Sequence, residues 1–235
     1  MLIRTHLAGG VLAFAALAIA TGPLTYEEAA VEFAYCMIGS IIPDIDQQQS
    51  KISKSDILIG AVSEMVCTFT KHRGITHTPL GCLLFAVLGY SVAKIAIPYA
   101  NANAAFMAAL IVFAIIHSDS RKKKLNKFGG MLAIGTYIYY PHVAEAVTCL
   151  PEIVINQGYE MLIGVSVLTG ALSHLLLDMF NPEGCMLFYP FRKRFNILSI
   201  RTGSRSEIFV TAVLFISAVL LIWFYRNSIF NTGTM

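Results

Sequence analysis

Charge is what this chain most lacks. Asp, Glu, Lys and Arg make up 13% of its 235 residues against 56% hydrophobic, and the mean hydropathy is +0.67. Soluble domains carry about a quarter charged residues, so an ordinary water-soluble protein is excluded and a polytopic membrane protein is indicated. Signals for cysteine pairing are missing too. Cys36, Cys67, Cys82, Cys149 and Cys185 are scattered without a C-x-x-C spacing, which points away from a disulfide framework or a thiolate zinc site. They read as small apolar residues in or near membrane helices. The sequence shows neither an internal repeat nor a low-complexity tract.

Apolar runs are plentiful. They fall at about 7–22, 28–42, 79–97, 103–117, 129–149, 160–177 and 207–225, most of them near the roughly 20 residues that cross about 30 Å of hydrocarbon. The run at 28–42 is short and carries Glu32. The expected fold class is therefore all-α, a polytopic membrane helix bundle of about six to seven transmembrane segments plus an interfacial helix. Spans of that number use more than half the chain, so residues 1–235 are expected to form a single integral-membrane domain. Arg4 before an apolar run ending in Ala18-Ile19-Ala20 has the outline of a signal peptide. A retained first helix is expected instead, because His6 at its start joins the polar set described below.

Cytoplasmic loops collect Lys and Arg. All of the 17 basic residues except Lys94 and Arg226 lie at Arg4 or within 51–73, 121–127 and 192–205. If 28–42 crosses, these segments share one side with the N-terminus, and that side is expected to be the cytoplasm. Residues 55–70 are too polar to span but suit a partly amphipathic interfacial helix bordering the site. The basic run 121–127 reads as a solvated loop touching anionic headgroups, so membrane lipids are the expected partners and nucleic acid is not.

Against this background the segment His72-Arg73-Gly74-Ile75-Thr76-His77 stands out, because ionisable groups at a bilayer edge are costly to desolvate and usually pair with one another or with an ion. Three further candidates lie at the same expected face: His6, the pair Asp44 and Asp46, and the pair His174 and Asp178. The last pair is spaced i,i+4, one turn apart on one helix face. Pro43 tends to end the preceding helix and leave Asp44 and Asp46 on a turn, and Pro79 suits the first position of a helix just after His77. Imidazole with carboxylate is a ligand set for zinc, manganese or iron rather than calcium. Four neutral imidazoles and three carboxylates sum to −3, and seven ligands exceed what one tetrahedral ion needs, so one divalent ion with supporting partners or two ions are expected. His117 and His142 read as helix-end or interior groups outside this set.

Anion-binding groups accompany it. The Arg73 guanidinium suits phosphate or carboxylate, and Arg201-Thr202-Gly203-Ser204-Arg205-Ser206-Glu207 brings Arg201 and Arg205 to the start of the last span, where backbone N–H groups also receive anions.

Thr5-His6 near a Gly-rich first helix, Pro43-Asp44-Ile45-Asp46, the HRGITH element and HLLLDMFNPEGCMLFYPF from His174 to Phe191 resemble, in the same order over most of the chain, the YdjM-type family of LexA-regulated, membrane-bound, metal-dependent hydrolases. The resemblance implies an inner-membrane bundle with an assumed metal-dependent hydrolase activity. Carried over by motif, it points to His6, Asp44, Asp46, His72, His77, His174 and Asp178 as ligands. Gln47 departs from the pattern, standing where a His is expected, and 91–160 is longer than in smaller relatives.

The expected function is thus a hydrolase at the cytoplasmic membrane face whose metal lowers the pKa of water and polarises the scissile bond of a phospholipid or other amphiphilic phosphate or acyl ester. Arg73 would stabilise developing negative charge, with Arg201 and Arg205 helping to bind substrate. No Glu or Ser stands out as a base, so an Asp, with Asp46 the candidate, or the metal's own water has to serve. The alternative is a membrane metal-ion transporter or sensor using the same ligands. That reading requires polar residues below the cluster, where the spans are mostly apolar, with Glu32, Glu145 and His142 as exceptions.

Overall fold

The computed structural model describes residues 1–46, 63–68, 74–96, 132, 134–136, 159–189, 191 and 193–230. The chain divides into two compact units, one formed by Met1–Pro43, Arg73–Tyr90 and Tyr159–Met235, the other by Asp44–His72 and Ser91–Gly158.

The first unit is built from helices α1 (Ile3–Thr21), α2 (Tyr26–Gly39), α3 (Pro79–Ala96, to Tyr90 in this unit), α4 (Tyr159–Asp178) and α5 (Arg205–Ile229). A short 3-10 turn, Ile75–His77, precedes α3. Each boundary has a local cause. Gly22, at φ 88°, ends α1 in a positive-φ conformation open to glycine. Thr25 caps α2 in a reciprocal capping box: its hydroxyl accepts from the Glu28 backbone N–H, and Glu28 accepts from the Thr25 N–H at 2.7 Å. Ser204 caps α5 by accepting from the Glu207 N–H.

Helix α1 packs against α5, α4 and α2, and α2 packs against α4. The approach of α2 to α4 depends on two glycines. A Cβ at Gly170 would lie 2.9 Å from the Ser40 nitrogen and closer still to the Cys36 carbonyl, while one at Gly39 would meet the Val167 carbonyl and stand 3.1 Å from the Ala171 nitrogen. Small residues that let backbones meet are the usual currency of helix contacts in a bilayer, where apolar surface alone gives little preference for protein over lipid. Phe14, Ala18, Leu24, Ala29, Cys36 and Ile229 form one apolar cluster, and Cys82, Ala171, Leu175 and Cys185 another. The described cysteines are unbridged.

Among the described residues three helices are long and apolar enough to cross a membrane: α1, α4 and α5. The expected six to seven spans are therefore not supported. At 14 residues α2 reaches only about 21 Å, because Thr25 starts it late and Gly39 ends it before the Ile42–Asp46 turn. The apolar stretch of α3 is also short, and the runs 103–117 and 129–149 lie outside the described residues. Helix α5 has almost no buried surface and exposes Ile208, Phe209, Trp223 and Phe224, as expected of a helix facing lipid.

In the second unit the 3-10 turn carrying Asp44 and Asp46 is tied to a helical segment at 63–68. The Ser63 hydroxyl donates to the Ile45 carbonyl at 2.7 Å, and the Cys67 thiol to the Asp46 carbonyl at 3.1 Å. That helical segment falls within the stretch 55–70 for which a helix is expected; the rest of the stretch lies outside the described residues.

The glycine contact gives a stability test. Gly170→Ala is expected to cost about 1–3 kcal/mol by overpacking, read as a lower melting midpoint in detergent. Gly135→Ala, a helical position whose added Cβ meets nothing within 4 Å, does not lower the midpoint.

Candidate metal centre

Helix α4 ends by presenting His174 and Asp178 from one face, both fully buried. The close crossing at Gly39 and Gly170 carries the end of α2 over them, so that His174 Nδ1 lies 2.8 Å from the Ser40 carbonyl oxygen. A carbonyl only accepts, so Nδ1 holds a proton and donates it, which turns Nε2 the other way, toward His77 and Asp178.

His77 comes from the 3-10 turn before α3. The Thr78 hydroxyl donates to the Ile75 carbonyl at 2.6 Å and accepts from the Gly81 N–H at 3.1 Å, capping α3 and pinning the turn with Pro79 at its first position. The absence of a side chain at Gly81 lets the turn lie directly on the helix, since a Cβ there would meet the Ile75 carbonyl. His77 Nδ1 is 3.2 Å from the Thr76 hydroxyl, and its Nε2 faces that of His174 at 3.3 Å. Asp178 Oδ2 lies 3.6 Å from His77 Nε2 and 3.8 Å from His174 Nε2.

His6, in the first turn of α1, stacks on His174 with ring centroids 3.8 Å apart and planes 14° from parallel. Its Nε2 is 3.5 Å from Asp178 Oδ1, which also lies 3.3 Å from the Met1 nitrogen.

His77, His174 and Asp178 therefore offer three ligand atoms within 4.8 Å of one another, all from buried side chains. Around a tetrahedral ion with bonds near 2.0–2.1 Å, ligand atoms stand about 3.3–3.4 Å apart. The observed edges of 3.3, 3.6 and 3.8 Å match that figure to within a few tenths of an ångström. Two imidazoles and one carboxylate are a donor set suited to a divalent cation such as zinc.

Of the residues anticipated from sequence, His6, His77, His174 and Asp178 are brought together. Asp44 is half-buried and Asp46 buried within the turn Ile42–Asp46. Arg201 and Arg205 are exposed on the approach to α5. His72 and Arg73 lie outside the described residues.

Two participants had no signature as site residues. One is the Ser40 carbonyl, a backbone atom. The other is Glu207, fully buried, which accepts from the Leu2 N–H at 2.6 Å, the Thr5 hydroxyl at 3.0 Å and the Gly203 N–H, and so holds the start of α1 beside His6. Ser204-x-x-Glu207 is legible as a helix-cap pattern, but nothing in that spacing says that the carboxylate reaches another helix.

Fold and centre together define a helical membrane protein with a buried His/Asp cluster suited to a divalent cation. The chain belongs to the YdjM inner membrane protein family, which it matches over residues 1–230. It is also similar to two proteins of Methanothermobacter thermautotrophicus named uncharacterized protein ORF4 and ORF4′. The identities are 34% and 33% over 86 residues, covering 35% of this chain and 36% and 37% of those proteins. The chain thus aligns with about a third of the length of these relatives. No solved structure matches it.

Detergent-purified protein is expected to bind zinc or manganese near stoichiometrically by elemental analysis, and His77→Ala or Asp178→Ala to weaken binding by more than about 100-fold. Wild-type protein without metal, or both variants retaining it unchanged, would refute the metal centre.

Proposed function

We propose that this protein is a membrane-embedded, metal-dependent hydrolase acting on an amphiphilic phosphate or acyl ester, with a phospholipid as the leading substrate class, at the cytoplasmic face of the inner membrane. The observation that carries this reading is the convergence of His77 Nε2, His174 Nε2 and an Asp178 oxygen where α1 begins and α4 ends. Such a position lies at headgroup depth, within reach of an ester bond but not of acyl-chain interiors. The orientation rests on the basic segments.

A divalent ion, zinc in the first instance and manganese or iron as alternatives, supplies Lewis acidity toward the scissile bond and toward water when bound. The chain's residues do the rest. Ser40 locks His174 in the tautomer that points Nε2 inward, and His77 and Asp178 complete the holding set. His6 Nε2, beside Asp178 Oδ1, is placed to hold a proton. Arg73 is assigned to charge that develops on the phosphoryl or acyl oxygen and Asp46 to general-base work, with Arg201 and Arg205 drawing an anionic headgroup toward the face. Should a second ion bind, Asp44, Asp46 and His72 are its candidate ligands.

Chelation is expected to abolish phospholipase or phosphodiesterase activity, and added zinc or manganese to restore it. His174→Ala removes that activity, and Arg73→Ala lowers kcat about 100-fold at unchanged metal content. Activity that survives both chelation and His174→Ala would overturn the proposal.

One observation favours the transport reading. Glu32 is fully buried along α2, within the bundle, and a carboxylate is rarely placed there without an ion or proton to carry. Metal-ion flux into proteoliposomes that is lost in Glu32→Gln, without turnover of any ester, would favour transport over hydrolysis.

A further inference from the structure

The chain between α4 and α5 forms a two-stranded hairpin, β1 (Cys185–Met186) and β2 (Arg194–Phe195), paired Cys185 to Phe195 and Met186 to Arg194. Gly184, at φ 60°, turns the chain into it. The hairpin is fastened to the end of α4: the Ile197 N–H donates to the Met179 carbonyl at 2.8 Å, the Ile200 N–H to the Phe180 carbonyl at 2.8 Å, and the Asn196 amide to the Asn181 carbonyl at 3.0 Å. Cys185, in β1, is buried in the cluster with Cys82, Ala171 and Leu175.

A segment held so firmly would be expected to hide its aromatics, yet Phe188, Tyr189 and Phe191 are 63%, 52% and 72% exposed. Cations share this surface. Lys193 and Arg194 are exposed on the hairpin, with the Lys193 ammonium 5.5 Å from the Phe195 ring, and Arg201 and Arg205 are exposed on the approach to α5. From 182 to 205 the only acidic residue is Glu183. The segment runs directly into α5, whose exposed Ile208 and Phe209 open a membrane-spanning face, so continuity of the chain places the hairpin at the headgroup level.

We propose that the hairpin is an interfacial anchor that seats Phe188, Tyr189 and Phe191 among the headgroups of an anionic leaflet, with Lys193, Arg194, Arg201 and Arg205 on lipid phosphates. Aromatics beside basic residues are the side chains that favour this zone, where an apolar ring and a polar edge are both accommodated. The occupant is the lipid surface itself, because the charge is of one sign and the patch is continuous with the face that α5 turns to lipid. The inference needs no metal and no turnover, so it stands or falls apart from the hydrolase reading.

The test uses full-length protein in nanodiscs. Trp223, the sole tryptophan, is replaced in Trp223→Phe, and Phe191→Trp supplies the probe, with Tyr189→Trp as a second should the first not fold. The lipids are phosphatidylcholine alone or mixed with phosphatidylglycerol, either carrying bromine near the headgroup end of the acyl chains. Blue-shifted emission is expected, quenched by shallow bromine, with stronger quenching when the brominated lipid is the phosphatidylglycerol. Lys193→Gln with Arg194→Gln should remove most of that preference, since each cation near the surface is worth about fivefold. Water-like, unquenched emission overturns the anchor, and equal quenching by the two brominated lipids overturns its selectivity for anionic lipid.

Discussion

The hydrogen bond from His174 Nδ1 to the Ser40 carbonyl determines what the centre can be. At 2.8 Å it fixes the tautomer, and with it the direction in which the Nε2 lone pair points. The bond exists only because α2 ends at Gly39 and crosses α4 at Gly170, so helix packing and ligand orientation are one constraint. Outer-shell acceptors of this kind hold imidazole ligands in metal sites generally, since a ring free to rotate loses both affinity and alignment. Here the acceptor is backbone, which no single side-chain substitution removes.

A second constraint fixes the other side of the cluster. The start of α1 has backbone N–H groups without partners in their own helix, and Glu207 from α5 accepts from the Leu2 N–H and the Thr5 hydroxyl there. Thr5 also meets the Thr211 hydroxyl at 2.9 Å. A carboxylate near the positive end of a helix dipole is favourably placed, and the arrangement sets His6 one residue beyond the clamp. Helices distant in sequence thus deliver His6 and Asp178 to one point, α1 through Glu207 and α4 through its contact with α2.

The core of the centre was legible in the sequence for reasons that are local or patterned. His174 and Asp178 are one turn apart on any helix, and His77 precedes a proline suited to starting one. His6 could be grouped with them because polar residues at the ends of apolar runs sort by side. Ser40 and Glu207 were not legible, since the first acts through its carbonyl and the second through a reach between helices that only packing decides. Among the described residues fewer spans are found than expected because an apolar run need not be helical along its whole length: the run at 28–42 continues past Gly39 into a 3-10 turn, leaving a helix of 14 residues.

The charge on Asp178 argues for what fills the centre. As the last residue of α4 it lies at the negative end of that helix's dipole, the unfavourable end for an anion, and it is buried as well. The Met1 ammonium, 3.3 Å from Oδ1, supplies positive charge on one side, while Oδ2 faces the imidazoles of His77 and His174. His77 and His174 bring their Nε2 atoms to 3.3 Å, and Asp178 Oδ2 stands 3.6 and 3.8 Å from them. The same separations suit atoms that share an ion rather than a proton, because ligands around one cation are held apart by their own contact radii. With two neutral imidazoles and one carboxylate, a divalent ion would leave the trio at +1, which would offset the unfavourable dipole end.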